Sequence, residues 1–120
     1  MFKIYRIFSD SKGDSHIEEI TVPLKDAGTI GRLSEEIPVA GLVFREVDAS
    51  YDYDFHTAPQ RQYVVLLDGE LEIETSLHDK RVLKAGDILL AEDTTGKGHR
   101  SRNLKPVKRK SLFITLPETP

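Results

Sequence analysis

The sequence predicts an all-β domain, folded as a sandwich or barrel. Its apolar stretches are short and alternate with period two, the pattern of strands with one buried face. Turn signals separate them at short intervals, and no segment sustains the i, i+3, i+4, i+7 spacing of a long amphipathic helix. The chain has 120 residues, within the range of about 100–150 that one core usually serves. A single domain over residues 1–120 is therefore expected.

Taken in order, residues 2–8 and 17–22 alternate and are expected as strands. Alternation is weak up to about residue 39, which places residues 1–39 at the periphery of the domain. Residues 27–36 hold a turn of helix at most. Further strands are expected at 41–47, 62–67, 71–75, 81–83, 87–91, 99–103 and 111–116. Asp68-Gly69 lies between Tyr-Val-Val-Leu-Leu and Glu-Leu-Glu-Ile-Glu. It predicts a tight hairpin, because Asp-Gly supplies the positive φ angles such a turn requires. His78-Asp79-Lys80 and Lys84-Ala85-Gly86-Asp87 predict further reversals.

Composition narrows the function classes. There are 17 Lys+Arg against 20 Asp+Glu, a net charge of −3, and no cysteine. The last point excludes disulfide scaffolds, thiolate zinc sites, iron–sulfur clusters and cysteine nucleophiles. No apolar run approaches the ~18–20 residues that span a bilayer, and the N-terminus lacks the cationic start and continuous apolar stretch of a signal peptide. A soluble, cytoplasmic protein is expected, with no membrane partner. Residues 94–117 hold no acid while Lys97, Arg100, Arg102, Lys105, Lys108, Arg109 and Lys110 are all basic. A nucleic-acid surface would interleave such a run with exposed aromatics. Phe113 alone is available there and sits in an alternating strand, so no nucleic-acid partner is expected and the run reads as solvated strand ends.

The chemistry-bearing residues lie in two segments. The first runs from Asp54 through His56, Ala58, Gln62 and Gly69. The second holds Gly86-Asp87, Thr94, Gly96, His99 and Asn103. Together they resemble the two motifs of the cupin superfamily. The first of these runs His-x-His, then Glu, then Gly after six further residues. The second runs Gly-Asp, a short apolar strand, Pro-x-Gly-x-x-His, then Asn. Here Ala58 replaces the second His, Gln62 the Glu and Thr94 the Pro, and the stretch from Asp87 to Thr94 is two residues longer than the usual pattern. The resemblance covers about residues 40–116 and points to a small single-domain bacterial cupin. It implies a double-stranded β-helix, or jelly-roll barrel, a homodimer, and a small-molecule ligand in the barrel. The strand at 2–8 is the candidate to cover or extend a partner's sheet.

Residues two apart in a strand share a face, so His56 and Ala58 point together, as do Gln62, Val64 and Leu66. His56, Gln62 and His99 are the candidate ligands for a divalent ion (iron, manganese, nickel or zinc), and His56 and His99 the candidate catalytic groups. Such a ligand set carries no charge. Asp52, Asp54, Glu92 and Asp93 are the carboxylates near enough in sequence to add one, and Asp54 and Asp93 are also candidates to orient an imidazole. His16 and His78, in polar turns, are expected as hydrogen-bonded surface residues. Tyr51, Tyr53 and Phe55 are expected to pack at a strand entrance or to rim the barrel mouth. Arg61 should face away from the pocket, toward a partner subunit. Gly96-Lys97-Gly98 lacks the P-loop pattern. Three functions remain open: a metal-bearing small-molecule pocket, metal-free acid–base catalysis of the epimerase or isomerase kind, and a non-enzymatic ligand-binding or sensing barrel.

Overall fold

A computed structural model describes residues 1–118 of the chain; the expected boundary at residue 120 lies outside them. The fold is all-β, as expected. Its strands are β1 (Phe2–Ser9), β2 (Ser15–Val22), β3 (Lys25–Asp26), β4 (Arg32–Leu33), β5 (Gly41–Val47), β6 (Asp52–His56), β7 (Gln62–Leu66), β8 (Glu70–Thr75), β9 (Lys80–Lys84), β10 (Ile88–Ala91), β11 (His99–Asn103) and β12 (Arg109–Thr115). They form a six-stranded sheet in the order β2-β1-β10-β7-β12-β5, a four-stranded sheet in the order β6-β11-β8-β9, and the small β3-β4 ribbon. Among the described residues no sheet closes into a barrel. No helix is long and apolar enough to cross a membrane.

The main core lies between the two larger sheets, and a smaller cluster gathers Ile4, Leu90 and Leu116. In β7 the alternation buries Gln62, Val64 and Leu66 and turns Tyr63 and Val65 toward the other face, which fixes the strand's register against the core. Ile7, Leu66 and Leu89 from the large sheet meet Leu71, Ile73 and Leu83 from the small one. Each fully buried aliphatic side chain contributes roughly 1.5–3 kcal/mol, so this cluster holds the sheets together.

Two local expectations fail. Asp68-Gly69 is not a hairpin: β7 belongs to the large sheet and β8 to the small one. Gly69 does take the expected left-handed conformation, at φ +69°, but the turn serves as a corner between sheets. Asp68 fastens that corner by accepting the Lys110 backbone N–H at 2.7 Å. Of the N-terminal strands, β2 is a sheet edge and β3-β4 an exposed ribbon, but β1 is interior. β1 is paired on both sides, with β2 and, in parallel, with β10, and it buries Ile4 and Ile7. With both edges occupied it cannot extend a partner's sheet. The turn of helix expected at most within 27–36 is a 3₁₀ turn, Gly28–Ile30, between β3 and β4. The segment read as an aromatic entrance also contains a strand of its own, β6.

Candidate functional site

A cavity of about 290 Å³ opens between the sheets, lined by His56, Gln62 and His99 together with Arg45, Tyr51 and Phe113. β6 and β11 are antiparallel neighbours in which His99 stands directly opposite His56. Facing side chains on one sheet face meet closely, and the two imidazole centroids lie 4.7 Å apart. Gln62 enters from the opposite sheet at the first residue of β7 and is 6% exposed. Ala58 is buried and lines the same cavity, as its spacing from His56 predicts.

The histidines are oriented from behind. Nδ1 of His99 lies 2.5 Å from Oδ2 of Asp93, and neither residue is more than 6% exposed. A carboxylate oxygen is the acceptor here, so Nδ1–H donates to Oδ2 and Nε2 is the ring nitrogen that Asp93 does not engage. The backbone carbonyl of Asp93 in turn accepts the Ala58 N–H at 3.0 Å, which ties the end of the β10 segment to the chain after β6. Nδ1 of His56 lies 2.7 Å from the Asp54 carbonyl oxygen, an acceptor too, so this imidazole likewise donates through Nδ1. The ring of Tyr53 stacks on His56 at 3.6 Å. Burial pushes the His56 pKa below its ordinary value, against the opposing backbone hydrogen bond to Asp54. At neutral pH His56 is therefore an uncharged imidazole.

Both Asp93 and Asp54 thus orient an imidazole, though through different atoms. Asp93 uses its side chain, whereas Asp54 uses its backbone carbonyl and turns its own carboxylate to the Phe55 N–H. Gly98 keeps the two histidine strands close. At φ +72° it sits so near β6 that a Cβ would overlap the His56 carbonyl and come within 2.7 Å of the Thr57 nitrogen.

None of the four carboxylates considered as a further ligand reaches the cavity. Asp52 pairs with Arg100 at 2.9 Å and Asp93 stands behind His99. Glu92 is clamped by Arg6 and by Arg61. Burial alone would raise the Glu92 pKa, but the two guanidiniums prevail and hold it below the ordinary value. Arg61 faces away from the cavity as expected, its partner being Glu92 of the same chain. The donor set is thus two imidazoles and a neutral amide with the Arg45 cation in the same cavity. A set without charge beside a cation holds a divalent ion less tightly than one that includes a carboxylate.

The remaining residues fall outside the site. His16 bonds Asp10 and His78 bonds Glu74 at the surface. The basic run is largely paired: Lys97 with Asp14, Arg102 with Glu72, Lys105 with Glu70 and Lys108 with Glu46. Asn103 joins the Arg109 Nε–H to the Asp48 carbonyl, a structural tie. Arg45 of the cavity wall carries no motif in the sequence, Phe113 of the alternating strand β12 joins it there, and Tyr51, expected as packing or rim, donates or accepts a 2.7 Å hydrogen bond with Ser101 inside the cavity. The signal for Arg45 was its even spacing from the buried Val47.

No protein-family model matches the chain, and no curated protein matches it. Among solved structures, a conserved protein of unknown function from Streptococcus pyogenes is similar over 72% of each chain, at 16% identity and a TM-score of 0.47.

Proposed function

We propose that the chain is a small-molecule-binding protein of cupin type, with the cavity between its sheets as the ligand site and His99 as a metal-free general acid–base group. One observation carries this reading: a buried carboxylate holds the Nδ1 of an imidazole that lines the cavity. An anchored carboxylate fixes both the tautomer and the aim of a histidine base. The neutral His56, 4.7 Å away between ring centroids, is the second group through which a proton passes. Strands from two sheets around a pocket, with both motif histidines in it, support the jelly-roll assignment.

The reaction class is proton abstraction next to a carbonyl. His99 Nε2 takes the proton, the C–H electron pair moves into the carbonyl to give an enolate, and the resulting imidazolium returns a solvent-derived proton to carbon. Incubation with small ketones and keto acids in D₂O, read by loss of the proton signal next to the carbonyl, tests it. Wild-type protein should speed exchange, and Asp93→Asn and His99→Asn should each lose about 10²-fold or more of that acceleration. Exchange that is equal in wild-type and His99→Asn overturns the assignment.

A homodimer is also proposed. Ile30, Leu33, Ile37, Val39, Leu42 and Phe44 are all exposed along one stretch that ends in the edge strand β5. Exposed apolar residues gathered along one stretch of chain at a sheet edge support an interface there. Light scattering at micromolar concentration should give twice the chain mass; the monomer mass rejects it.

A further inference from the structure

The cavity contains a cation that the protein leaves unpaired. Arg6, Arg61, Arg81, Arg100 and Arg102 each meet a carboxylate. Arg45 meets none among the described residues, although the chain carries 20 Asp+Glu. Its position is nonetheless well fixed. The guanidinium carbon lies 5.0 Å from the Tyr51 ring centroid and 4.8 Å from that of Phe113. Stacking of this kind holds the guanidinium plane by cation–π attraction while leaving the N–H edge available.

The surroundings sharpen that charge. No Asp or Glu lines the cavity among the described residues. A second cation, Arg109, lies behind the same aromatic ring, 5.5 Å from the Tyr51 centroid, and is only 1% exposed. Its Nε–H goes to Asn103, but both terminal nitrogens lack an acceptor. The buried hydroxyl of Ser111, the strand partner of Arg45, lacks one as well. Burial and the nearby Arg45 charge push the Arg109 pKa down, the expected response of a cation placed beside another without a counterion. Two guanidiniums, low-dielectric aromatic walls and no carboxylate focus a positive potential on one end of the cavity. His56, kept neutral by burial, and His99 line the same cavity.

We propose that the cavity takes a small carboxylic acid, its carboxylate paired with the N–H edge of Arg45 and its remaining atoms directed to His56 and His99. The planar fork of arginine matches a carboxylate with two parallel hydrogen bonds. A volume of about 290 Å³ suits a small ligand, since small-molecule sites run from about 300 to 1,000 Å³. The proposal rests on the cavity being the ligand site, and is independent of proton transfer by His99.

The test uses benzoate and 2-oxobutyrate, each beside its neutral amide, added at millimolar concentration to the full chain. Binding is followed by ¹H–¹⁵N shifts, including the Arg45 Nε–H signal, and by melting temperature. Both carboxylates should shift the Arg45 and His99 signals in a saturable way and raise the melting temperature, while the amides should bind about tenfold or more weakly. Arg45→Gln should lose the same factor, with its spectrum elsewhere unchanged, and Arg45→Lys should recover part of it. Equal affinity for acid and amide, equal affinity in Arg45→Gln, or no saturable shift with either acid overturns the proposal. Amide binding that shifts the cavity signals without dependence on Arg45 would leave the ligand site standing and reject the acid. Arg45-dependent binding without carbon–proton exchange in D₂O would do the reverse to His99.

Discussion

Gly98→Ala isolates the contact that brings the two histidine strands together. Gly98 sits at φ +72°, and an added Cβ would overlap the His56 carbonyl and lie 2.7 Å from the Thr57 nitrogen, both of them backbone. The left-handed conformation alone costs a non-glycine residue about 1–2 kcal/mol. The overlap cannot be relieved by a side-chain rotation, so the end of β6 must retreat, and overpacking of this kind costs roughly 1–3 kcal/mol more. The total is about 3 kcal/mol, a large share of the ~5–15 kcal/mol by which a domain of this size is usually stable. Gly86→Ala is the control. It has φ +90° and nothing within 4 Å of the added Cβ, so only the conformational part applies. Urea denaturation followed by far-ultraviolet circular dichroism, suitable for a chain with no tryptophan, should show Gly98→Ala costing about 2 kcal/mol more than Gly86→Ala. Equal losses in the two variants would refute the reasoning that Gly98 is there to let the strands approach.

Two further predictions concern charge in the site. Gln62→Glu adds the anion that the donor set lacks, and calorimetric titration with manganese or zinc should show affinity rising about tenfold or more over wild type; an unchanged affinity would mean that Gln62 does not face the histidines. His56, with its folded pKa below the ordinary value, binds a proton more readily when unfolded. Stability should therefore fall as pH drops through the ordinary histidine value of about 6.5. His56→Gln should remove that part of the slope between about pH 7.5 and pH 5.5, a window distinct from the acid range where paired carboxylates such as Glu92 protonate. A slope unchanged in the variant would contradict the burial of His56.

What the sequence made legible was the parity of strands. The alternation of β7 placed Gln62, Val64 and Leu66 on one face and Arg61 away from it, and the two motif spacings brought His56 and His99 to one cavity. What it hid was the partner each strand chooses. Asp68-Gly69 has the backbone conformation of a hairpin, but the same positive φ serves a corner, and only the pairing of β8 with β9 and β11 decides between them. Arg45 was hidden for a similar reason. Between Phe44 and Glu46 it reads as a surface charge, and it becomes a cavity residue only when β5 pairs with β12 and Tyr51 folds over it. Phe44, its apolar neighbour, is instead 79% exposed. Asp54 shows the converse limit: proximity in sequence found the right residue for His56 but not the atom, since a backbone carbonyl does the orienting.

The tautomer of His99 is the most direct test of the site. A long-range ¹H–¹⁵N spectrum, recorded at about pH 8 so that an ordinary imidazole is neutral, distinguishes a protonated Nδ1 from a protonated Nε2. The Asp93 contact predicts Nδ1–H with bare Nε2 in wild type and a loss of that preference in Asp93→Asn. An Nε2–H tautomer in wild-type protein would contradict the arrangement, because His99 would then present a donor rather than a base to the cavity.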